Sequence, residues 1–197
     1  MPRARTGALV VLSLGVLAAV AWVTLKPGPS SAATFTNRAL FVAILGATAL
    51  VGFRFQTAAS SLPIVIVAWT TGFFFVAATA LFAVHLGAVL SLLLRSAAPS
   101  YDFRLYSLLL LGVVGLVPAI LGLRTLPGLA RGGVPARGRA TRICLVLLAV
   151  NIPLIPLQDF AVAFSISGVC VLAELFLLRS RVPKEGVAVM SLIGASA

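Results

Sequence analysis

The sequence predicts an all-α, polytopic transmembrane helix bundle that crosses the bilayer about six times within a single domain, residues 1–197. Of its 197 residues, 61% are hydrophobic and only 10% are charged, whereas soluble domains contain about 25% charged residues. The charged residues also leave long apolar stretches between them, and 40 residues without Asp, Glu, Lys or Arg separate Arg54 from Arg95. Since a membrane-spanning helix needs about 20 mostly apolar residues, lipid is the expected solvent for most of the chain.

The spacing of the charges and the breaks between apolar stretches predict six helices. Residues 26–29, Lys-Pro-Gly-Pro, end the first helix, and Pro63 is suited to the first turn of the third. The fifth stretch is short for a span, but Arg142 can extend its charged end to the interface and so lengthen it. The predicted helices are 7–25, 37–54, 62–94, 105–123, 143–157 and 160–178.

The third stretch, 62–94, is either one long span or two short ones. As one helix it would be about 50 Å long, against a hydrocarbon core of about 30 Å. It must then tilt strongly, project beyond the membrane or break, and a break would be expected at Thr70-Thr71-Gly72.

The distribution of Lys and Arg predicts that both termini are cytoplasmic. The six-helix arrangement places 11 of these residues on the side of the N-terminus and 4 on the other side, in agreement with the positive-inside rule. Residues 124–142 then form a cytoplasmic loop that is expected to be flexible and to fix the topology, with docking to anionic lipid or to a partner as the alternative role. The excess of Arg over Lys is typical of GC-rich bacterial genes, which favours a bacterial inner membrane as the location.

The N-terminal segment has two interpretations. Arginines, an apolar run and Ala19-Val20-Ala21 together resemble a secretory signal peptide with its cleavage site near residue 21. The alternative, which we favour, is an uncleaved first helix that belongs to the bundle.

Small residues at helical spacing predict where the helices pack. Apolar side chains gain little from one another in lipid, so close association relies on small residues that let backbones approach. We expect two such runs to lie in helix contacts. They are Thr79, Ala83, Gly87 and Ser91 in the third helix, and Gly112, Gly115, Ala119 and Gly122 in the fourth.

Three polar residues inside the apolar stretches are candidates for function: His85, Asn151 and Glu174. Ionisable side chains inside a membrane often mark proton or ion pathways. Each residue also has a structural interpretation, namely a hydrogen bond to a neighbouring helix for His85, ion pairing for Glu174 and a proline-associated kink for Asn151.

The fifth and sixth predicted helices form a hairpin that turns near residues 157–158. Residues equally distant from this turn should lie at equal depth, and Arg142 and Glu174 are such a pair. We predict an ion pair between them near the cytoplasmic interface, because a lone carboxylate at that depth is costly. Cys144 and Cys170 fall slightly deeper, at matching height, and are expected to remain reduced.

Motifs that would identify an enzyme or a cofactor site do not occur. The chain has no H-E-x-x-H, no G-x-S-x-G and no phosphate-binding glycine loop, so we predict no catalytic residues, no metal and no cofactor. The net charge of +11 does not indicate nucleic-acid binding, because the cations lie at helix ends and not on one polar face with aromatic residues.

Three functions therefore stay open. The one we favour is a non-catalytic subunit or scaffold of a membrane complex, with the lipid bilayer and other membrane-protein subunits as partners. The second is a small-solute transporter or its substrate-binding subunit, which requires a cavity lined by residues such as Thr70, Thr71, Asn151 or His85. The third is a membrane-embedded enzyme or cytochrome-like subunit that uses His85 and Glu174. Haem bound by two histidines would need a second subunit, because His85 is the only histidine.

Overall fold

The computed structural model describes residues 2–27, 30–55, 61–95, 103–155 and 159–179. These residues form six helices of 18 to 34 residues and one short helix, and the described part contains no strand. A 3-10 turn, Ile152–Leu154, follows the helix that ends at Asn151. The helices are α1 (Pro2–Leu25), α2 (Ser31–Phe55), α3 (Leu62–Arg95), α4 (Phe103–Leu123), α5 (Leu126–Ala130), α6 (Val134–Asn151) and α7 (Asp159–Arg179).

Five segments of this structure are long and apolar enough to cross a membrane. They lie in α1, α2, α3, α7 and the stretch that runs from α4 into α5. The first half of α6 carries Arg137, Arg139 and Arg142, which explains why its composition alone does not identify it as a span. The prediction of an all-α membrane protein is confirmed at this level.

The outer surface of the bundle is apolar. Leu94, Phe35 and Leu50 expose 80%, 74% and 72% of their surface. In water, a continuous apolar surface of this kind would favour aggregation. In a bilayer it is the face that lipid chains cover, so the exposure pattern agrees with the composition.

The central helix is α3, which packs against α1, α2, α4, α5 and α7. Its Phe74 and Phe82 are buried, and both contact Phe164 of α7 with ring centroids 4.8 and 5.7 Å apart. The third stretch is one long helix without a break at residues 70–72, because α3 is continuous over 34 residues. A Cβ on Gly72 would lie 3.5 Å from the Leu126 side chain of α5, an ordinary van der Waals contact.

Small residues of α4 lie in its contact with α3. A Cβ on Gly115 would overlap the ring of Phe82, and one on Gly122 would overlap the ring of Phe75. Each glycine therefore lets an α3 phenylalanine reach the backbone of α4. All four residues of the predicted run are buried: Gly112, Gly115, Ala119 and Gly122.

The matching run on α3 does not lie in a helix contact. Ala83, Gly87 and Ser91 are exposed, Thr79 is half-buried, and a Cβ on Gly87 would meet nothing within 4 Å. The prediction is wrong within the described chain, because α3 uses its phenylalanine-bearing side to contact α4 and α7. Small residues on a membrane helix can face lipid as well as a neighbouring helix.

Residues 124–142, expected to form a flexible loop, are largely helical. Pro127 and Pro135 lie in the first turns of α5 and α6, where a proline removes no helical hydrogen bond. Arginine and alanine, which are frequent in this segment, are strong helix formers. Gly132, with φ of 73°, provides the left-handed residue in the turn between the two helices.

The bounds of α2 and α6 also differ from the prediction. α2 begins at Ser31 and not at residue 37, and α6 begins at Val134 and ends at Asn151 instead of covering 143–157. Both helices extend into segments whose charges and polar residues had suggested loops. Residues 156–158, at the turn after α6, lie outside the described residues.

The predicted hairpin of α6 and α7 is present with the expected register. The Asn151 amide nitrogen lies 2.9 Å from Ser165 Oγ, and both residues are equally distant from residue 158. At the other end, Arg137 Nη1 donates to the carbonyl oxygen of Leu178 at 3.2 Å. The helix α6 therefore runs antiparallel to α7 along nearly its whole length.

Candidate functional site

Glu174 of α7 is fully buried in the bundle. Its Oε1 lies 2.8 Å from the hydroxyl of Ser13 in α1. Its Oε2 is buried and has no hydrogen-bond partner among the described residues. A buried carboxyl group with an unsatisfied oxygen is costly, and in a membrane protein such a group is a candidate for function.

Ser13 connects Glu174 to α3. The Ser13 hydroxyl lies 2.7 Å from the hydroxyl of Thr70 and 2.9 Å from the carbonyl oxygen of Leu9. The Thr70 hydroxyl in turn lies 2.9 Å from the carbonyl oxygen of Ile66. Side chains from α1, α3 and α7 thus meet in one polar cluster, which we call the Glu174 cluster: Ser13, Thr70 and Glu174.

The hydrogen-bond directions in the Glu174 cluster follow from its two hydroxyl protons. Ser13 donates to Oε1 of Glu174, and Thr70 is then the donor in the contact between the two hydroxyl groups. Oε2 receives no hydrogen bond from the described residues. Only one of the two carboxyl oxygens is therefore satisfied inside the bundle.

A pocket of about 160 Å³ lies between α1, α2 and α3, beside the Glu174 cluster. Ser13 and Thr70 line it, so their hydroxyls connect the pocket to the buried carboxyl group. An apolar cavity of about 150 Å³ is large enough for benzene. The remaining lining is mostly apolar and partly aromatic: Leu17, Leu45, Thr48, Trp69 and Phe73.

The ion pair predicted between Arg142 and Glu174 does not form. Arg142 is exposed and lines a different pocket, beside Leu175 and Phe176, whereas Glu174 contacts Ser13 of α1. The hairpin register fixes the height of both residues, but not the direction of their side chains. Consecutive residues of a helix point about 100° apart, so two residues at equal height can face different neighbours.

The two cysteines contact different helices. Cys144 is buried, and its Sγ lies 3.5 Å from the carbonyl oxygen of Gly168 in α7. Cys170 faces α1, where a Cβ on Gly15 would lie 3.4 Å from its Sγ. Both are free thiols, and the two side chains serve in separate helix contacts.

His85 links three helices. Its Nε2 lies 3.3 Å from the carbonyl oxygen of Leu108 in α4, and its ring meets the edge of Phe160 in α7 with centroids 6.0 Å apart. This arrangement supports the structural interpretation of His85, a hydrogen bond to a neighbouring helix. His85 does not line the pocket beside the Glu174 cluster.

Asn151 stabilises the α6–α7 hairpin. It is fully buried, and its amide nitrogen lies 2.6 Å from the carbonyl oxygen of Ala161 and 2.9 Å from Ser165 Oγ. Its Oδ1 has no hydrogen-bond partner in the described residues. The amide group therefore fastens the end of α6 to the start of α7, just before the 3-10 turn that contains Pro153.

Sequence reasoning identified Glu174 but did not identify Ser13 as its partner. A signal for Ser13 exists, because it carries the only hydroxyl group in residues 7–23. Thr70 was considered as part of a helix break and of a cavity, and the structure places it at the pocket and the carboxyl group together. No group of three or more His, Cys, Asp or Glu residues suited to a metal ion occurs in the described residues.

Comparison of the chain with protein-family models, with curated proteins and with solved structures finds no match in any of the three.

Proposed function

We propose that the protein is a six-span membrane transporter that exchanges protons for a small organic cation, with Glu174 as the group that carries the proton. The observation that supports it is a fully buried carboxyl group with one unsatisfied oxygen, connected through Ser13 to a pocket of about 160 Å³. The proposal requires α1 to be retained, since Ser13 belongs to it.

The sixth span of the proposal is α6. Because α6 runs beside α7 from Arg137 to Asn151, the two helices cross the same layer. With the 3-10 turn, residues 137–154 correspond to about 27 Å of helix, close to the thickness of a hydrocarbon core. The five arginines of residues 124–142 then gather at one end of the bundle, and the positive-inside rule makes that end cytoplasmic.

Proton transport and cation transport are coupled in this proposal because the proton and the cation compete for the same negative charge, that of Glu174. When Glu174 loses its proton, the carboxylate leaves a negative charge buried beside the pocket, and a cation in the pocket compensates it. Proton binding removes that charge and weakens cation binding by the same factor, as thermodynamic linkage requires. The bound proton and the bound cation therefore exclude each other, which is the requirement for exchange.

The lining of the pocket defines the class of solute. Trp69 and Phe73 offer aromatic faces, which attract organic cations, including quaternary ammonium groups. Leu17 and Leu45 provide apolar contacts. The pocket volume accommodates a group of roughly the size of one aromatic ring. Tetramethylammonium has the required charge and size and does not cross lipid unaided.

Uptake of radiolabelled tetramethylammonium into proteoliposomes tests this function. With an acidic lumen, the wild-type protein should accumulate the cation, and Glu174→Gln should abolish the gradient-dependent part because the side chain no longer exchanges a proton. Asp159→Asn, which removes the other carboxyl group of α7, is the matched control and should behave as wild type. Wild-type uptake no higher than in protein-free vesicles, or equal uptake by Glu174→Gln, contradicts the proposal.

A second candidate function is that of a non-catalytic subunit of a membrane complex. The observation that favours it is the exposed side of α3 with Ala83, Gly87 and Ser91, where a transmembrane helix of a partner subunit could approach the backbone closely. Native purification should recover that partner with the wild-type protein and lose it with Gly87→Leu. Gly46→Leu on α2, which also has open space around the glycine, should retain it. Equal recovery with both variants contradicts this function.

A further inference from the structure

A second pocket, of about 330 Å³, lies between α6 and α7 at the end of the hairpin far from its turn. It is independent of the Glu174 cluster and shares no lining residue with the first pocket. Its lining includes Arg137, Gly138, Thr141 and Arg142 of α6 and Leu175 and Phe176 of α7.

The wall that α6 contributes is cationic. Residues 124–142 contain five arginines and no acidic residue. Arg142 is exposed and forms no ion pair within the described part of the chain, while the nearby Glu174 is turned toward Ser13. Arg137 donates one of its N–H groups to Leu178, which holds its guanidinium at the pocket. The pocket therefore offers two guanidinium groups to an anion.

The wall that α7 contributes is apolar. Phe176 exposes 57% of its surface, and Leu175 is buried. A Cβ on Gly138 would meet nothing within 4 Å, so the α6 side leaves room between the two arginines. A ligand that fits must carry an anionic group at one end and an apolar part next to it.

We propose that this pocket binds an anionic phospholipid, with its headgroup phosphate on Arg142 and Arg137 and an acyl chain against Phe176. A guanidinium group matches a phosphate with two parallel hydrogen bonds. In the six-span arrangement, the C-terminal end of α7 lies at the level where headgroups meet hydrocarbon. The headgroup can therefore contact the arginines of α6 while the acyl chain contacts Phe176 of α7. An inorganic phosphate would satisfy the arginines but would leave Phe176 without a contact.

A lipid titration of the purified, delipidated protein tests this site. Dioleoylphosphatidylglycerol is added in dodecyl maltoside, and binding is followed by native mass spectrometry and by the rise in Tm. We expect Arg142→Gln to raise the half-saturating lipid concentration about fivefold, the effect of one basic residue near an anionic lipid. Arg139→Gln, which removes an exposed arginine of α6 outside the pocket, should leave it unchanged.

Three results would overturn the proposal. The first is an unchanged half-saturating lipid concentration in Arg142→Gln. The second is an equal rise of that concentration in Arg139→Gln, which would indicate diffuse attraction. The third is binding of dioleoylphosphatidylcholine as strong as that of the anionic lipid. A competition experiment adds glycerol phosphate, which carries the headgroup phosphate without acyl chains. It should not displace the lipid, and displacement at similar concentration would assign the site to a soluble phosphate instead. The Tm of each variant without lipid serves as the folding control, and Arg142→Lys, which keeps the charge but not the fork, should lose less than Arg142→Gln.

Discussion

Ser13 and Glu174, 161 residues apart in the sequence, are joined by a hydrogen bond of 2.8 Å that connects α1 to α7. The same hydroxyl lies 2.7 Å from Thr70 of the central helix. One serine therefore links three helices at the buried carboxyl group, and its removal affects packing and the charge of Glu174 together.

Ser13→Ala should destabilise the bundle. The substitution leaves Oε1 of Glu174 without its partner, and we expect a loss of about 1–2 kcal/mol in the free energy of unfolding. Unfolding in mixed detergent micelles, followed by circular dichroism, measures this loss. Ser91→Ala is the control, because Ser91 is exposed and bonds only to its own helix. Equal stability of the two variants would show that the bond from Ser13 contributes nothing.

Alanine substitutions should distinguish a glycine that lies in a helix contact from a glycine with open space around it. Gly115→Ala places a methyl group into the ring of Phe82 and should cost about 1–3 kcal/mol, as overpacking does. Gly46→Ala on α2 meets nothing within 4 Å and should stabilise by up to about 1 kcal/mol through helix propensity. Thermal unfolding in detergent compares them. A stabilising effect of Gly115→Ala would mean that α4 lies further from α3.

Asn151→Ala should loosen the α6–α7 hairpin. The amide nitrogen bonds to both Ala161 and Ser165, and the loss of both contacts should cost about 1–2 kcal/mol. Ser165→Ala removes only one of the contacts and should cost less. Amide hydrogen exchange at the start of α7 reports the local opening. Equal protection in wild type and Asn151→Ala would rule out this role.

Cysteine labelling should reveal whether α6 crosses the membrane. In a background with Cys144→Ala and Cys170→Ala, we expect Gly138→Cys to react only from the cytoplasmic side and Gln158→Cys only from the other side. An impermeant maleimide added to intact cells or to inside-out vesicles distinguishes the two. Labelling of both positions from the same side would leave α6 on the cytoplasmic surface and would contradict the six-span arrangement.

The sequence predicted those features that depend on local composition. The apolar stretches correspond to α1, α2, α3, α4 and α7, because a span requires about 20 apolar residues in any surroundings. The arginine-rich segment 124–142 was misjudged, since glycine and proline suggested a loop while arginine and alanine stabilised helices. Local propensity and loop signals conflicted there, and helix formation prevailed.

The sequence could not predict features that depend on helix rotation. Small residues form equally regular runs on α3 and α4, but only the α4 run is in contact, because the bulky face of α3 turns toward its neighbours. Arg142 and Glu174 lie at equal height but do not meet. The hairpin register fixes the height of the two residues and leaves the direction of each side chain open. The contact of Glu174 with Ser13 joins helices far apart in the sequence, and no local pattern encodes it.

The length of α3 has a consequence for the surrounding lipid. His85 lies level with Leu108 and Phe160, near the starts of α4 and α7, yet α3 continues to Arg95 as an apolar helix. Leu90, Leu92 and Leu94 of this extension are exposed. Because α4 also reaches five residues past Leu108, to Phe103, α3 extends about 7 Å beyond the start of α4. It therefore presents a hydrophobic mismatch that costs a fraction of a kcal/mol for each ångström left uncovered. Lipids next to α3 must stretch or the helix must tilt, and the protein should sort toward the thicker regions of its membrane.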